Sequence, residues 1–142
     1  MQYGKHYILE CTVSDNTLLT NPEGIQNFFA RIVSTLHMTP VSECTYHIFP
    51  GSGGITAFQI IAESHISIHT WPEYHYFSFD VFSCKGFDDA ALDVLVHATF
   101  PIAKKVSQVV HRGTLMLDAP NLTEAPTKSP SASPASFPAS LS

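Results

Sequence analysis

Four strand-like segments follow one another through the middle of the chain, and only short turn sequences separate them. The first link is Pro50-Gly51-Ser52-Gly53-Gly54 and the last is centred on Trp71-Pro72, both of which are typical of turns. Strands joined by such short links pair antiparallel, because a parallel pair needs a crossover of a dozen or more residues. The four segments are residues 41–49, 55–62, 64–70 and 74–83.

Two amphipathic helix patterns lie on either side of these strands. Asn21 is placed to cap the first helix with Pro22 in its first turn, and Thr39-Pro40 stops the pattern. Asp88 or Asp89 is placed to cap the second helix. The apolar positions predicted to face the core are Ile25, Phe28, Phe29, Ile32, Val33 and Leu36 in the first helix, and Ala91, Leu92, Leu95 and Ala98 in the second.

Two further strand patterns complete the predicted sheet. Residues 6–13 alternate in character, with Tyr7, Leu9 and Cys11 on one side of the strand, and a last strand runs from 106 to 111. The sequence therefore predicts an α+β fold. It consists of a mostly antiparallel sheet of about six strands with both helices packed on one face.

The composition excludes several classes of function. Only 13% of the residues are charged and the net charge is −5, which argues against a general affinity for nucleic acid. The sequence has neither a secretory signal nor an apolar run near the roughly 18–20 residues that span a membrane. Cys11, Cys44 and Cys84 cannot all pair within one chain and lack metal-binding spacing, so we expect no metal and a cytoplasmic protein.

A change in composition divides the chain near residue 118. Residues 1–118 carry the strand and helix patterns and are long enough for one domain. From Ala119 onward the sequence is rich in proline, serine and alanine, and frequent prolines exclude a regular helix or a central strand. We expect residues 119–142 to form a disordered tail.

A dense cluster of reactive side chains occupies residues 63–73. The run Glu63-Ser64-His65-Ile66-Ser67-Ile68-His69-Thr70-Trp71-Pro72-Glu73 combines an acid–serine bond, two histidines and the only tryptophan, and Cys84 follows shortly after it. A serine that follows an acidic residue can attack its own peptide bond. The products are two chains and a reactive carbonyl group where the serine stood.

This run resembles the signature of the short prokaryotic S-adenosylmethionine decarboxylases and matches it at every defined position. The resemblance extends to Gly4-Lys5-His6 upstream and to Asp80-Val81-Phe82 and Cys84 downstream, and it covers residues 3–113. It implies an α+β fold in which the sheets of two protomers pair in a dimer.

The resemblance also implies that the chain makes its own cofactor. Cleavage between Glu63 and Ser64 would give a β chain of residues 1–63 and an α chain of residues 64–142. Ser64 would become a pyruvoyl group at the new N-terminus, and no metal would be needed. The active species would be a homodimer of cleaved αβ protomers, with a tetramer as the alternative.

The family's matching residues imply a role for each reactive side chain. His69 is expected to be the base that removes the Ser64 α-proton, and the Thr56 hydroxyl is expected to assist processing. Departure of the main-chain carboxylate of Glu63 from Ser64 completes cleavage. Cys84 is expected to return a proton to the substrate α-carbon after carbon dioxide leaves.

The implied reaction is decarboxylation of S-adenosylmethionine to decarboxylated S-adenosylmethionine for spermidine synthesis. Phe49 and Trp71 are candidates to stack on the adenine and the sulfonium, and Glu73 is a candidate to accept the ribose hydroxyls. Ornithine or arginine is the alternative substrate, with Glu10 or Glu73 meeting the distal cation. A third possibility is an uncleaved homologue that regulates a partner. The sequence leaves activation by putrescine open.

The chain departs from the family pattern just after the signature. The family has small residues there, whereas this chain has His75-Tyr76-Phe77-Ser78-Phe79, and the loop Gly51–Ile55 is one residue longer than usual. Because larger side chains displace ligand volume, His75, Phe77 and Phe79 are predicted to reshape the substrate pocket.

Overall fold

A six-stranded antiparallel sheet is the central element of the structure, a computed structural model that describes residues 4–117. The order across the sheet is β2-β3-β4-β5-β1-β6. The strands are β1 (Lys5–Val13), β2 (Thr45–Ile48), β3 (Ile55–Ile61), β4 (Ser64–Trp71), β5 (Tyr76–Ser83) and β6 (Ile102–His111). The helices are α1 (Pro22–Thr35), α2 (Asp89–Thr99) and the short α3 (Thr114–Leu117).

The predicted run of antiparallel strands is confirmed, because β2 to β5 are neighbours in sequence and in the sheet. Strand β2 is shorter than predicted. The backbone N–H groups of Val41 and Ser42 both donate to the carbonyl of Ile60, so these residues fold onto β3 before the regular ladder begins. Strand β6 is longer than predicted because it pairs with the whole of β1.

Both predicted helix caps are present. The Asn21 side chain accepts a hydrogen bond from the Gly24 N–H at 3.1 Å, and the Asp88 side chain accepts one from the Ala91 N–H at 3.1 Å. Each contact satisfies an N–H group that has no partner inside its helix. The structure thereby selects Asp88 over Asp89 as the second cap.

The buried faces of the helices match the predicted pattern except at one position. In α1 the buried side chains are Ile25, Phe28, Phe29 and Ile32, and the C-cap Leu36 is buried as well. In α2, Leu92 and Leu95 are buried as predicted, but Ala98 is exposed and Val96 is buried in its place. At about 100° per residue, Val96 lies beside Leu92, whereas Ala98 turns away from it.

The two helices pack on the same face of the sheet and form one core with it. The Phe28 ring of α1 lies 5.3 Å from the Phe79 ring of β5 and 5.1 Å from the Phe100 ring at the end of α2. Tyr7, Leu9 and Cys11 of β1 are buried in this core, as the alternation in the sequence predicted.

The opposite face of the sheet, called the open face below, follows from the strand register. Its members in the central strands are His6, Ile8, Glu10 and Thr12 of β1, Thr56, Phe58 and Ile60 of β3, His65, Ser67, His69 and Trp71 of β4, and Tyr76, Ser78, Asp80 and Phe82 of β5. Several large apolar side chains on it are exposed, including Ile8, Phe58 and Ile60. The open face therefore combines reactive polar residues with unburied apolar surface.

Within residues 4–117, no helix has the length and apolar character needed to cross a bilayer.

Candidate active site

Ser64 lies at the first position of β4, immediately after the tight turn that joins β3 to β4. It pairs with Ile61 on one side and with Ser83 of β5 on the other. Its φ of 158° is close to extended backbone, so Ser64 adopts an ordinary strand conformation. The position is fixed by the sheet on both sides, and the Ser64 side chain is half-buried.

Glu63, the residue before Ser64, is held through both its main chain and its side chain. Its carbonyl oxygen accepts a hydrogen bond from the backbone N–H of Cys84 at 2.8 Å. Its carboxylate is buried, and both oxygens lie 3.2 Å from the N–H of Thr39. The carbonyl that Ser64 would attack is therefore fixed and already polarised by a donor, which is the arrangement that stabilises a developing oxyanion.

Cys84 is exposed and stands next to the Glu63–Ser64 bond. The loop that presents it is fixed by Ser83, whose buried hydroxyl donates to the Lys85 carbonyl at 2.6 Å and accepts from the Lys85 N–H at 3.0 Å. Sequence reasoning identified the Cys84 thiol but missed the contribution of its backbone N–H and the contacts of Thr39 and Ser83. The Cys84 and Thr39 contacts with Glu63 carry no sequence signal, because they join segments that are far apart in the chain.

Thr56 and His69 form a second cluster on the open face. They are directly opposite one another on β3 and β4, and Thr56 Oγ1 is hydrogen-bonded to His69 Nδ1 at 3.0 Å. The His69 ring lies 6.3 Å from the Trp71 ring, which in turn lies 5.4 Å from the Tyr76 ring. The hydrogen bond leaves the Nε2 atom of His69 available for proton transfer.

The two clusters lie at opposite ends of β4 within one chain. Ser64 and His69 are five residues apart, which corresponds to about 16 Å along a strand at roughly 3.3 Å per residue. The structure therefore brings Glu63, Ser64 and Cys84 together and brings Thr56 and His69 together, but it does not join the two clusters within a protomer.

Two of the candidate substrate residues, Trp71 and Glu10, line adjoining cavities near the second cluster. Trp71 lines a cavity of about 440 Å³ with Thr12, Tyr74 and Tyr76. Glu10 lines a neighbouring cavity of about 210 Å³, to which Thr12 and Tyr76 also contribute. Burial and the nearby Glu10 carboxylate raise the pKa of Tyr76, so its hydroxyl stays protonated at neutral pH.

Phe49 and Glu73 line neither of these two cavities. Phe49 follows β2, and its ring packs against His47 at 4.8 Å, while Glu73 is exposed in the short turn after β4. Both side chains are accessible, and the structure leaves their part in substrate binding as a prediction.

Comparison with known proteins gives a consistent result. A family model described as S-adenosylmethionine decarboxylase matches residues 5–113, which include both clusters. The chain belongs to this family. It is 40% identical over 83 residues to the S-adenosylmethionine decarboxylase proenzyme of Methanococcus maripaludis strain C5, a match that covers 58% of this chain and 66% of that protein.

Two further relatives extend this result. The proenzyme of Pyrobaculum aerophilum is 34% identical over 100 residues, covering 69% of this chain and 79% of that protein. The crystal structure of the adenosylmethionine decarboxylase from Aquifex aeolicus superposes with a TM-score of 0.69 at 28% identity, covering 79% of this chain and 92% of the other. The predicted α+β fold is thus confirmed by an experimental structure of a family member.

The departures from the family pattern lie mostly in the core. Phe77 and Phe79 are buried under the helices, where the Phe77 ring lies 4.4 Å from that of Phe100, so the prediction that they reshape the substrate pocket is wrong. His75 is exposed, and its Nδ1 atom lies 3.2 Å from the Val13 carbonyl. Of the larger residues in this stretch, Tyr76 is the one that lines both cavities.

Proposed function

We propose that this chain is a self-processing decarboxylase that acts on S-adenosylmethionine through a pyruvoyl group made from Ser64. The observation that carries the proposal is the Glu63–Ser64 bond, whose carbonyl accepts the Cys84 N–H and whose acidic side chain is bound to Thr39. The word proenzyme in the names of relatives 34–40% identical supports processing.

Processing begins when Ser64 Oγ attacks the Glu63 carbonyl carbon and the Ser64 nitrogen leaves, which converts the amide into an ester. The Cys84 N–H stabilises the negative charge that develops on the Glu63 oxygen. A base then removes the Ser64 α-proton, and the main-chain carboxylate of Glu63 departs as the new C-terminus of the β chain. Hydrolysis of the remaining dehydroalanine releases ammonia and leaves the pyruvoyl group.

The residues near the cleavage point fit decarboxylation as well as processing. A pyruvoyl carbonyl supplies an electron sink for the carbon next to a substrate amine. Cys84 is exposed beside that position and acts as the general acid that returns a proton to the α-carbon. The three cysteines of this chain are free, which fits a reducing cytoplasm.

The base for processing comes from a second copy of the chain. His69 lies about 16 Å from Ser64 in its own strand, so one protomer cannot supply it. A two-fold dimer that pairs the open faces would set the Ser64 end of one β4 beside the His69 end of the other. The exposed Ile8, Phe58 and Ile60 supply apolar surface for this contact.

Processing is tested on purified protein by a denaturing gel and mass spectrometry. The wild-type protein should appear as residues 1–63 and 64–142, the larger with a blocked N-terminus. Ser64→Ala should stay intact, and Ser107→Ala, a serine substitution on exposed β6, should cleave normally. A wild-type chain that remains full length would show that it is an uncleaved homologue.

The dimeric site is tested by complementation between two variants that cannot cleave alone. A Ser64→Ala chain retains His69, and a His69→Ala chain retains Ser64. When they are co-expressed with different tags, the His69→Ala chain should be cleaved and the Ser64→Ala chain should not. Lack of cleavage in isolated mixed dimers would exclude base supply by the partner.

Ornithine or arginine is the second candidate substrate, because Glu10 lines a cavity that a distal cation could enter. Lys104 and Lys105 line the same cavity and disfavour a second cation there, whereas Trp71, Tyr74 and Tyr76 offer aromatic walls suited to an adenosyl sulfonium. Carbon dioxide release from each of the three substrates distinguishes them. Release from ornithine or arginine alone would reject S-adenosylmethionine while retaining the pyruvoyl chemistry.

A further inference from the structure

A second set of reactive side chains lies on the open face, away from the Thr56–His69 pair. His6 Nε2 lies 2.7 Å from Asp80 Oδ2, and His65 Nε2 lies 2.8 Å from the same oxygen. All three atoms are within 4.8 Å of one another. Two imidazole nitrogens and one carboxylate oxygen thus converge on a single point.

The sheet holds these side chains on three adjacent strands. His6 of β1 and His65 of β4 both stand opposite Phe82 of β5, and Asp80 lies two residues along β5 on the same face. Central strands are rigid because each is hydrogen-bonded on both sides. The geometry of the three ligand atoms is therefore fixed by the backbone before any ligand binds.

Neighbouring side chains fix the orientation of each group. The Ser67 hydroxyl donates to Asp80 Oδ1, which leaves Oδ2 directed at the two histidines. The His65 ring stacks on Phe58 at 5.3 Å, and the His6 ring packs against Phe82 at 5.3 Å. Contacts of this kind orient metal ligands in known sites.

The charge and exposure of the cluster suit a cation. Within one protomer the three side chains are 18–28% exposed, so most of the surrounding water is already excluded from them. Burial tends to raise the pKa of Asp80, but hydrogen bonds from Ser67, His6 and His65 outweigh it and lower the pKa below its usual value. Asp80 is therefore a carboxylate at neutral pH.

We propose that His6, His65 and Asp80 form a binding site for a first-row divalent cation, of which Zn²⁺ fits best. Imidazole and carboxylate ligands in this ratio are typical of zinc, and three protein ligands leave a fourth position for water. The ion replaces the two contacts to Asp80 Oδ2, and each histidine binds through Nε2 while its proton moves to Nδ1.

The required movement is small. Tetrahedral zinc with bonds of about 2.0–2.2 Å sets neighbouring ligand atoms about 3.3 Å apart, compared with the present 2.7 and 2.8 Å. A shift of about half an ångström in each of these two contacts, together with rotation of the imidazole rings, opens the site. The bound ion ties β1, β4 and β5 together next to Ser64, and it stabilises the fold without taking part in decarboxylation.

The test uses the full chain after removal of metal with a chelator. Titration with zinc chloride, followed by calorimetry and elemental analysis, should give one ion per chain and a higher melting temperature. Asp80→Asn and His6→Ala should each lower the affinity at least tenfold and abolish the thermal shift. His97→Ala, in an exposed pair with Asp93 on α2, should bind like the wild type.

Two further measurements distinguish binding by these three side chains from binding by other residues, such as a cysteine. Cobalt in place of zinc should give a visible spectrum of nitrogen and oxygen ligation without a thiolate charge-transfer band, and Cys84→Ser should bind equally well. Circular dichroism verifies that each variant is folded. If a variant is unfolded, His65→Gln is tested in its place. Absence of saturable binding in the wild type, or equal binding in Asp80→Asn, would overturn the proposal. Neither result bears on cleavage at Ser64, so the processing proposal is judged separately.

Discussion

Cys84 takes part in the candidate site through two different atoms. Its backbone N–H donates to the Glu63 carbonyl, and its side chain, which carries the thiol, is exposed. A side-chain substitution removes the thiol but keeps the N–H. Processing and turnover therefore have separable requirements at one residue.

Replacing Cys84 with alanine should leave cleavage of the chain largely intact and reduce decarboxylation by about 10²–10⁴-fold, the usual contribution of a positioned general acid. Cleavage is measured on a denaturing gel and turnover by carbon dioxide release. Full turnover by a cleaved Cys84→Ala protein would show that another group supplies the proton.

Ser83 illustrates how a buried hydroxyl positions a reactive neighbour. Its two hydrogen bonds to Lys85 close the turn that presents Cys84. We expect Ser83→Ala to slow cleavage and to destabilise the protein by about 0.5–1.5 kcal/mol, the usual net contribution of a hydrogen bond, because water can reach the exposed Lys85 in place of the hydroxyl. Cleavage kinetics and urea denaturation measure the two effects, and Ser78→Ala on the same strand is the comparison. Wild-type cleavage kinetics in Ser83→Ala would exclude this positioning role.

At the scale of elements, polar side chains determine where each helix begins and which face of the sheet stays accessible. The caps at Asn21 and Asp88 start α1 and α2 so that both apolar faces meet the core. Asp80 links β1, β4 and β5 on the other face through His6, His65 and Ser67.

Removing the first cap should cost about 1 kcal/mol of folding stability, the typical value for replacing an N-cap asparagine with alanine. Asn21→Ala loses the 3.1 Å hydrogen bond to Gly24. Asn27→Ala, at an exposed position inside α1, is the matched control and should be neutral or slightly stabilising, since alanine favours the helix interior. Urea denaturation compares the two variants, and equal stabilities would contradict the capping role.

The stability contributed by Asp80 should depend on pH in one direction. Its pKa is below the ordinary value of 3.8, so the folded state holds its proton less tightly than the unfolded state does. The contribution is fully present above pH 3.8 and is lost as the pH falls through the folded-state pKa. Asp80→Asn should be less stable than the wild type at pH 7, with a smaller difference near pH 3. A constant difference across that range would contradict this linkage.

Taken as a whole, the protein holds two separate clusters of reactive residues. Glu63, Ser64 and Cys84 lie at one end of β4, and Thr56 and His69 lie at the other. The proposed processing therefore needs the proposed dimer, which would also cover the exposed apolar side chains of the open face.

The predicted tail, residues 119–142, lies outside the described residues. Its proline, serine and alanine content predicts that it contributes little to a packed core. Deleting residues 121–142 should leave the melting temperature and cleavage unchanged within error, as measured by thermal denaturation and a denaturing gel. A marked drop in melting temperature would show that this segment packs on the domain.

Local patterns in the sequence were enough to predict most of the helices and strands and to identify the reactive residues. Alternation identified β1, turn sequences bounded the four middle strands, cap residues located both helices, and the run from Glu63 to Glu73 indicated the chemistry. The folded sheet was needed to show which distant residues meet, since strand pairing sets contacts such as Cys84 with Glu63 and Asp80 with His6. It also buried Phe77 and Phe79, which the sequence had assigned to the pocket, because the register of β5 directs them to the core. Finally, it separated His69 from Ser64, because five residues of extended strand span more than any hydrogen bond can reach.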